Sequence, residues 1–230
     1  MATARRPTKK TTGDEVEAPR VDDPDLDAES LVSGSAEDLG SRESHDGVRF
    51  DGGDLTDYDL EGSSFRECVF DGVSLGGARL RGGRFVESRF VDSFAPELKA
   101  ARTTWRAVRL DRPRWGSAEL FDSEIESLRL SGGKIDYLNL RSSTLTDVVI
   151  EGCSIGELDL GGAVATRVSL VDCRLGSLDV TGARLASVDL RGATFDRVDG
   201  LEGLSGAVID EFQLSLLAPL LAARIGLIVR

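Results

Sequence analysis

Every fifth residue from Phe50 to Phe195 is apolar. Of those thirty positions, twenty-seven are Leu, Ile, Val, Phe or Trp, and the other three are Ala95, Ala100 and Ala165. An α-helix returns to the same face every 3.6 residues and a strand every 2, so neither accommodates a period of five. A helix would spread these residues round its whole circumference. The period demands a chain that turns a corner every five residues, and a repeat of this kind decides the fold before any other feature.

Calling the large apolar residue i, position i−2 is the second constraint. It holds Val48, Tyr58, Ser63, Cys68, Val73 and so on to Ala193, with no Asp, Glu, Lys or Arg in thirty instances. Two inward positions separated by one outward position describe a short extended segment. Positions i−1, i+1 and i+2 carry the charges and many glycines. Gly62, Gly72, Gly82, Gly132, Gly152, Gly162, Gly182 and Gly192 all stand at i+2, where a tight corner needs a permissive backbone. From Leu128 to Ala183 the i−2 residue alternates between large and small. A ten-residue alternation on a twenty-residue coil puts large side chains on two opposite walls, which requires four sides.

Val-Asp-Leu-Arg-Gly (188–192), Ala-Arg-Leu-Arg-Gly (78–82), Leu-Asp-Leu-Gly-Gly (158–162) and Tyr-Asp-Leu-Glu-Gly (58–62) carry a family signature. On these motifs the chain resembles the pentapeptide repeat proteins of bacteria over about two-thirds of its length. The resemblance implies an all-β solenoid, a right-handed quadrilateral parallel β-helix with four pentapeptides per coil. The departures are local: i−1 is often Arg, Ser or Val, and Ser93 to Pro96 interrupts the motif. The register survives that interruption, so a distorted coil is expected over about 93–104, with a short helix over 96–107 as the competing reading.

Outside the repeat the chain changes character. Residues 1–46 hold twelve acids and six bases, with sparse aliphatics and no period of five. Such a segment buries too little apolar surface to offset its ordering entropy, so a disordered acidic N-terminal tail is expected, with the β-helix over 47–198. His45, the sole histidine, falls at the end of that tail and reads as incidental. After Phe195 the period breaks. Asp210-Glu-Phe-Gln213 has the form of a capping box, followed by Phe212, Leu216, Leu217, Leu220 and Leu221 at helical spacing. Pro219 should kink that helix or start a second one, Gly226 should end it, and Leu227 to Val229 read as a short strand. Residues 199–230 are therefore expected to cap the rod. They carry more apolar residues than one coil end can bury, which points to a homodimer through Phe212, Leu216, Leu217, Leu220 and Leu221. The resemblance implies the same, since several pentapeptide repeat proteins pair through a C-terminal helical module.

The composition excludes several function classes. No apolar run approaches the ~20 residues of a membrane span, and the basic start of the chain lacks the apolar core of a secretory signal. A cytoplasmic protein with no membrane partner is expected. Cys68, Cys153 and Cys173 all stand at i−2 and read as buried reduced thiols, because a zinc site wants four ligands with short-range pairs. No nucleophile–base arrangement and no phosphate-binding glycine loop stand out, so no enzyme activity, no cofactor and no metal are expected. The surface is mixed. One i−1 column reads Glu119, Asn139, Asp159, Asp179, Asp199; another reads Arg89, Arg109, Arg129; a third holds Arg114, Lys134 and Arg174. Some members of the resembled family mimic B-form DNA and bind DNA gyrase, protecting it from inhibitors. A phosphate mimic should keep bases off its faces. A protein-binding scaffold with an unnamed partner and no direct nucleic-acid binding is therefore the leading expectation, with a gyrase-binding DNA mimic as the alternative.

Overall fold

The structure, a computed structural model, describes residues 16–26 and 30–228. It is a parallel β-solenoid of about nine turns with one C-terminal helix. Along the rod, residues twenty apart are partners: Ile125 with Leu145, Leu145 with Ala165, Ile135 with Ile155 and Leu175 with Phe195. Four pentapeptides therefore make one coil. The backbone ladder joins each coil to the next, as in Thr144 N donating to Ser123 O at 2.9 Å and Leu140 N donating to Asp159 O at 2.8 Å.

The five-residue period is the core. Of its thirty apolar positions only Leu185, close to the C-terminal end, is not fully buried. The phenylalanines of the first block stack along the axis. Phe65 and Phe85 are 5.3 Å apart at 8°, Phe70 and Phe90 4.5 Å at 9°, and Phe85 and Trp105 4.3 Å at 22°. The Trp105 indole nitrogen donates to Thr103 Oγ1 at 2.7 Å, so its one polar atom is satisfied inside the core. His45 is not incidental. It occupies the first rung of this ladder, stacked on Phe65 at 5.2 Å and 13°.

Most corners place their i+2 residue in the left-handed region, with Gly182 at φ 68 and Asp147 at φ 57. One of the four edges changes partway along the rod. Its first corners are left-handed at Asp57 and Gly77, but none of residues 97, 117, 137, 157 and 177 is. From Pro96 onward the strand on this edge runs on, as Phe94–Lys99, Arg114–Glu119 and their successors. Coils approach closely here: a Cβ on Gly116 would meet Pro96 O at 2.2 Å. The coil expected over 93–104 is continuous, and its departure from the regular coil is the lost left-handed corner at Glu97; the helix over 96–107 does not form. Phe94–Lys99 pairs in register with Arg114–Glu119. Pro96 is accommodated because the pairing skips it and Gly116, so its missing N–H is not required by the ladder.

The expectation of disorder up to residue 46 needs correction, although residues 1–15 lie outside the described residues. Residues 16–26 run extended along the rod. Val32–Ser33 pairs with Val48–Arg49, and Ser44–Asp46 pairs with Ser64–Arg66. Between them Ala36–Asp38 forms one 3-10 turn with a Ser35/Asp38 capping box, and Leu39 joins the core at 8% exposure. The composition argument treats the segment as if it stood alone. The open end of the rod supplies the partner surface that the segment lacks.

At the other end, Leu201–Leu204 makes a 3-10 turn, Ala207–Val208 pairs with Val188–Asp189, and helix α1 spans Glu211–Arg224. Pro219 lies within α1 and does not start a second helix. Leu227 and Ile228 form no strand. No helix among the described residues is long and apolar enough to cross a membrane.

All three cysteines are buried and unpaired. Burial pushes the Cys68 thiol up to about 11; the hydrogen bond between Cys173 and Cys153, with burial, raises Cys173, and the same bond lowers Cys153, which its 2% exposure keeps from reagent. Reaction rates follow the thiolate. A thiol reagent at neutral pH should leave the native chain unlabelled and label three cysteines once it is denatured; rapid native labelling would contradict the inward i−2 assignment.

Candidate functional site

Among the described residues the clefts are open grooves on the rod, so the candidates are surfaces. The register places Glu119, Asn139, Asp159, Asp179 and Asp199 in one column, each one coil from the next. The same column continues toward the N-terminus as Lys99, Arg79 and Asp59, so its run of acids is broken by two bases and Asp59 is paired with Arg79 at 3.3 Å. Its carboxylates are not free. Asp159 is only 4% exposed and accepts from Arg141 at 3.1 Å, from the Tyr137 hydroxyl at 3.2 Å and from Gly161 N at 2.8 Å. Arg141 also lies 3.7 Å from Asp179, and Arg197 donates to Asp199 at 2.9 Å. Burial pushes the Asp179 carboxyl up, but hydrogen bonds from Thr181 and the Arg141 charge together hold it below its ordinary range. Glu119 is half-buried.

The arginine column is neutralised in the same way. Arg89 and Arg109 both reach the buried Asp111, at 2.7 and 2.8 Å, and Arg129 reaches Glu151 at 3.1 Å. Pairs twenty residues apart add a second ladder: Arg112–Asp92 at 2.7 Å, Arg106–Glu126 at 2.7 Å and Arg167–Asp147 at 2.6 Å. The flanks of the rod are a lattice of paired charges. Among the described residues no group of three or more His, Cys, Asp or Glu side chains is placed to hold a metal ion.

One edge is covered. The corner column Glu67, Glu87, Ala107, Ser127, Asp147, Arg167, Ser187 carries residues 16–26 laid along it. Glu17 N donates to Ser187 Oγ at 3.3 Å, Arg20 N to Asp147 Oδ1 at 2.9 Å and Asp22 N to Ser127 Oγ at 2.7 Å. Asp23 lies 3.3 Å from Arg129 and 3.8 Å from Arg109. Two hydrogen bonds from Arg167, helped by the Arg20 amide, hold the Asp147 carboxyl below its usual range.

The C-terminal cap splits the residues singled out in the sequence. Leu217 is buried in the core at 2% exposure, whereas Phe212, Leu216, Leu220 and Leu221 are 65, 46, 46 and 39% exposed. The capping box forms, with Asp210 Oδ1 accepting from Gln213 N at 2.8 Å. Gln213 then does a second task that its sequence context conceals. Its buried Nε2 donates to Leu190 O at 2.6 Å and Ala193 O at 2.7 Å, closing carbonyls of the last coil.

Residues 46–85 match the family model of pentapeptide repeats in eight copies, which is the number that forty residues hold. The same twenty-residue register continues beyond them to Asp199. Residues 46–85 are thus pentapeptide repeats. No curated protein matches the chain. Among solved pentapeptide repeat structures, a trypsin-treated form of QnrB1, a plasmid-mediated fluoroquinolone resistance protein, is 20% identical. That match covers 83% of this chain and 91% of that one, with a TM-score of 0.36. HetL, involved in heterocyst differentiation regulation in the cyanobacterium Nostoc, is 15% identical over 74% of this chain and 91% of that one, with a TM-score of 0.28.

The pentapeptide register thus brings the sequence-chosen acids into one column and leaves most of the chosen helix residues exposed. It conceals two features. The strap along the corner column carries a short period of five, contrary to the reading of residues 1–46 as lacking one: Val16, Val21 and Leu26 are half-buried, with Pro19 and Pro24 two places before the last two, one residue out of step with the main register. The role of Gln213 beyond its capping box depends on where α1 lands.

Proposed function

We propose that this protein is a non-enzymatic scaffold that pairs with a second copy through α1 and presents the flanks of its rod to a protein partner. One observation carries the pairing. Phe212, Leu216 and Leu220 recur every four residues on α1 and stay exposed beside Phe195 and Val198, forming an open apolar groove. Ile225, Leu227 and Ile228, just past the end of α1, are also 74, 60 and 82% exposed. A contiguous apolar patch at the end of a charged rod favours burial against a copy of itself, and twofold self-association is the commonest way to achieve that.

The expected result is a dimer of the full-length chain in sedimentation at tens of micromolar. Leu216→Glu with Leu220→Glu should give a monomer with an unchanged melting temperature, since both side chains are exposed. A full-length monomer at that concentration refutes self-association.

The second reading is the gyrase-binding DNA mimic. Asp159, Asp179 and Asp199 in one column favour it, and the arginines paired with them weigh against it. A supercoiling assay with the purified full-length chain separates the two. Neither inhibition of gyrase nor protection from a quinolone at micromolar concentration removes the mimic.

A further inference from the structure

The strap over residues 16–26 is held as an extended peptide is held. Its three anchors, Glu17, Arg20 and Asp22, use backbone N–H groups, which any sequence other than proline offers. The acceptors Ser187, Asp147 and Ser127 stand in one column. Three coils at ~4.8 Å separate the first from the last, so five strap residues cover about 14 Å, or about 2.9 Å each, close to a polyproline II rise. Pro19 and Pro24 suit that conformation and do not remove the anchoring donors. The acceptors are fixed in advance: Asp147 is clamped by Arg167 through bonds of 2.6 and 2.7 Å.

The fit of the strap is incomplete. Asp23 meets Arg109 and Arg129, but Asp22 and Asp25 share the open end of the groove with Glu67 and Glu87, while Glu126 there is taken up by Arg106. Like charges there oppose docking. The Arg20 side chain is 76% exposed and that of Glu17 61%, so their ion pairs add little. Groove and strap match where the acceptors and arginines are, and mismatch where the glutamates are.

We propose that this corner column is a docking groove for an extended segment of a partner protein, acidic where it meets Arg109 and Arg129 and basic where it meets Glu67 and Glu87, and that residues 16–26 occupy it in cis until displaced. The inference rests on the scaffold reading but not on self-association, since a monomer carries the same groove.

The test uses full-length chains and a fluorescein-labelled peptide of residues 16–26 carrying Asp25→Lys. The strap is loosened in cis by Val21→Gly with Asp23→Lys, which leaves every groove residue intact. Trypsin should then cut after Arg20 about tenfold faster, because the strap is released. The peptide should bind the loosened chain about tenfold more tightly than the wild type, whose strap competes for the groove. Adding Arg109→Gln and Arg129→Gln to the loosened chain should cost about tenfold in peptide affinity, with an unchanged circular dichroism spectrum at the assay temperature showing that the fold persists. Unchanged cleavage, equal peptide binding by the wild-type and loosened chains, binding indifferent to the arginine substitutions, or no binding up to millimolar peptide each overturns the proposal. So does duplex DNA binding the loosened chain through those arginines where the peptide does not.

Discussion

Leu160→Asp is expected to destroy the cooperative melting of the rod, while Ser142→Asp should leave it unchanged. Leu160 is 4% exposed and stands in the inward column between Leu140 and Val180, both buried. The substitution forfeits about 1.5–3 kcal/mol of apolar burial. It also places a carboxylate where no cation can reach it, at a further cost of several kcal/mol even after the group takes up a proton. The sum approaches the ~5–15 kcal/mol that holds a whole domain together. A solenoid confines such damage to the coils that touch it, so the coils around Leu160 should open first and the Phe-rich coils last. Ser142 sits at an exposed corner with φ 56, a region that Asp tolerates, and its replacement should fall within about 0.5 kcal/mol of zero. Ser177 occupies the same i+2 position of its pentapeptide but is not equivalent. It lies on the edge where the left-handed corner is lost and is only 8% exposed. Circular dichroism melts of the two variants decide the matter, and equal losses would refute the inward assignment.

Ending the chain at Val198 should be nearly as severe. The truncation removes the partner of Val188–Asp189, the burial of Leu217 over the last coil, and the two bonds from Gln213 to Leu190 O and Ala193 O. What remains is an open parallel edge above an apolar cross-section, the template on which another chain pairs. The expected outcome is a melting temperature lower by about 10 °C or more and concentration-dependent aggregation, since each lost kcal/mol moves the midpoint of a domain this size by about 2–4 °C. Gln213→Ala in the full-length chain isolates one component. It leaves Ala193 O without its Gln213 donor, at about 1–3 kcal/mol when no water replaces it, while Leu190 O keeps the Ala193 N–H at 3.1 Å. A truncated chain that stays soluble and melts with the full-length protein would mean that α1 is no cap.

By itself the sequence determined the coil. Twenty-seven large apolar residues at a spacing of five, with uncharged residues two places before each, admit a four-sided solenoid and little else, because every inward contact is made by a residue whose partner is one fixed interval away. That regularity also puts Glu119, Asp159, Asp179 and Asp199 in one column on spacing alone. The columns do not disclose how charges are shared across them. Arg141 meets Asp159 only because a corner aims its guanidinium at the next coil, which converts an acidic stripe into paired and partly buried charge. The tertiary structure alone decided the two ends and the strap. His45 is a rung because Phe65 lies beneath it, and Leu39 is core because the first coil has an open end to cover. Residues 16–26 are anchored by Ser187, Asp147 and Ser127, which come together only after three coils have stacked. No local pattern encodes a surface assembled from residues more than a hundred positions away, so a segment that looks unable to order itself is ordered by the fold it lies against.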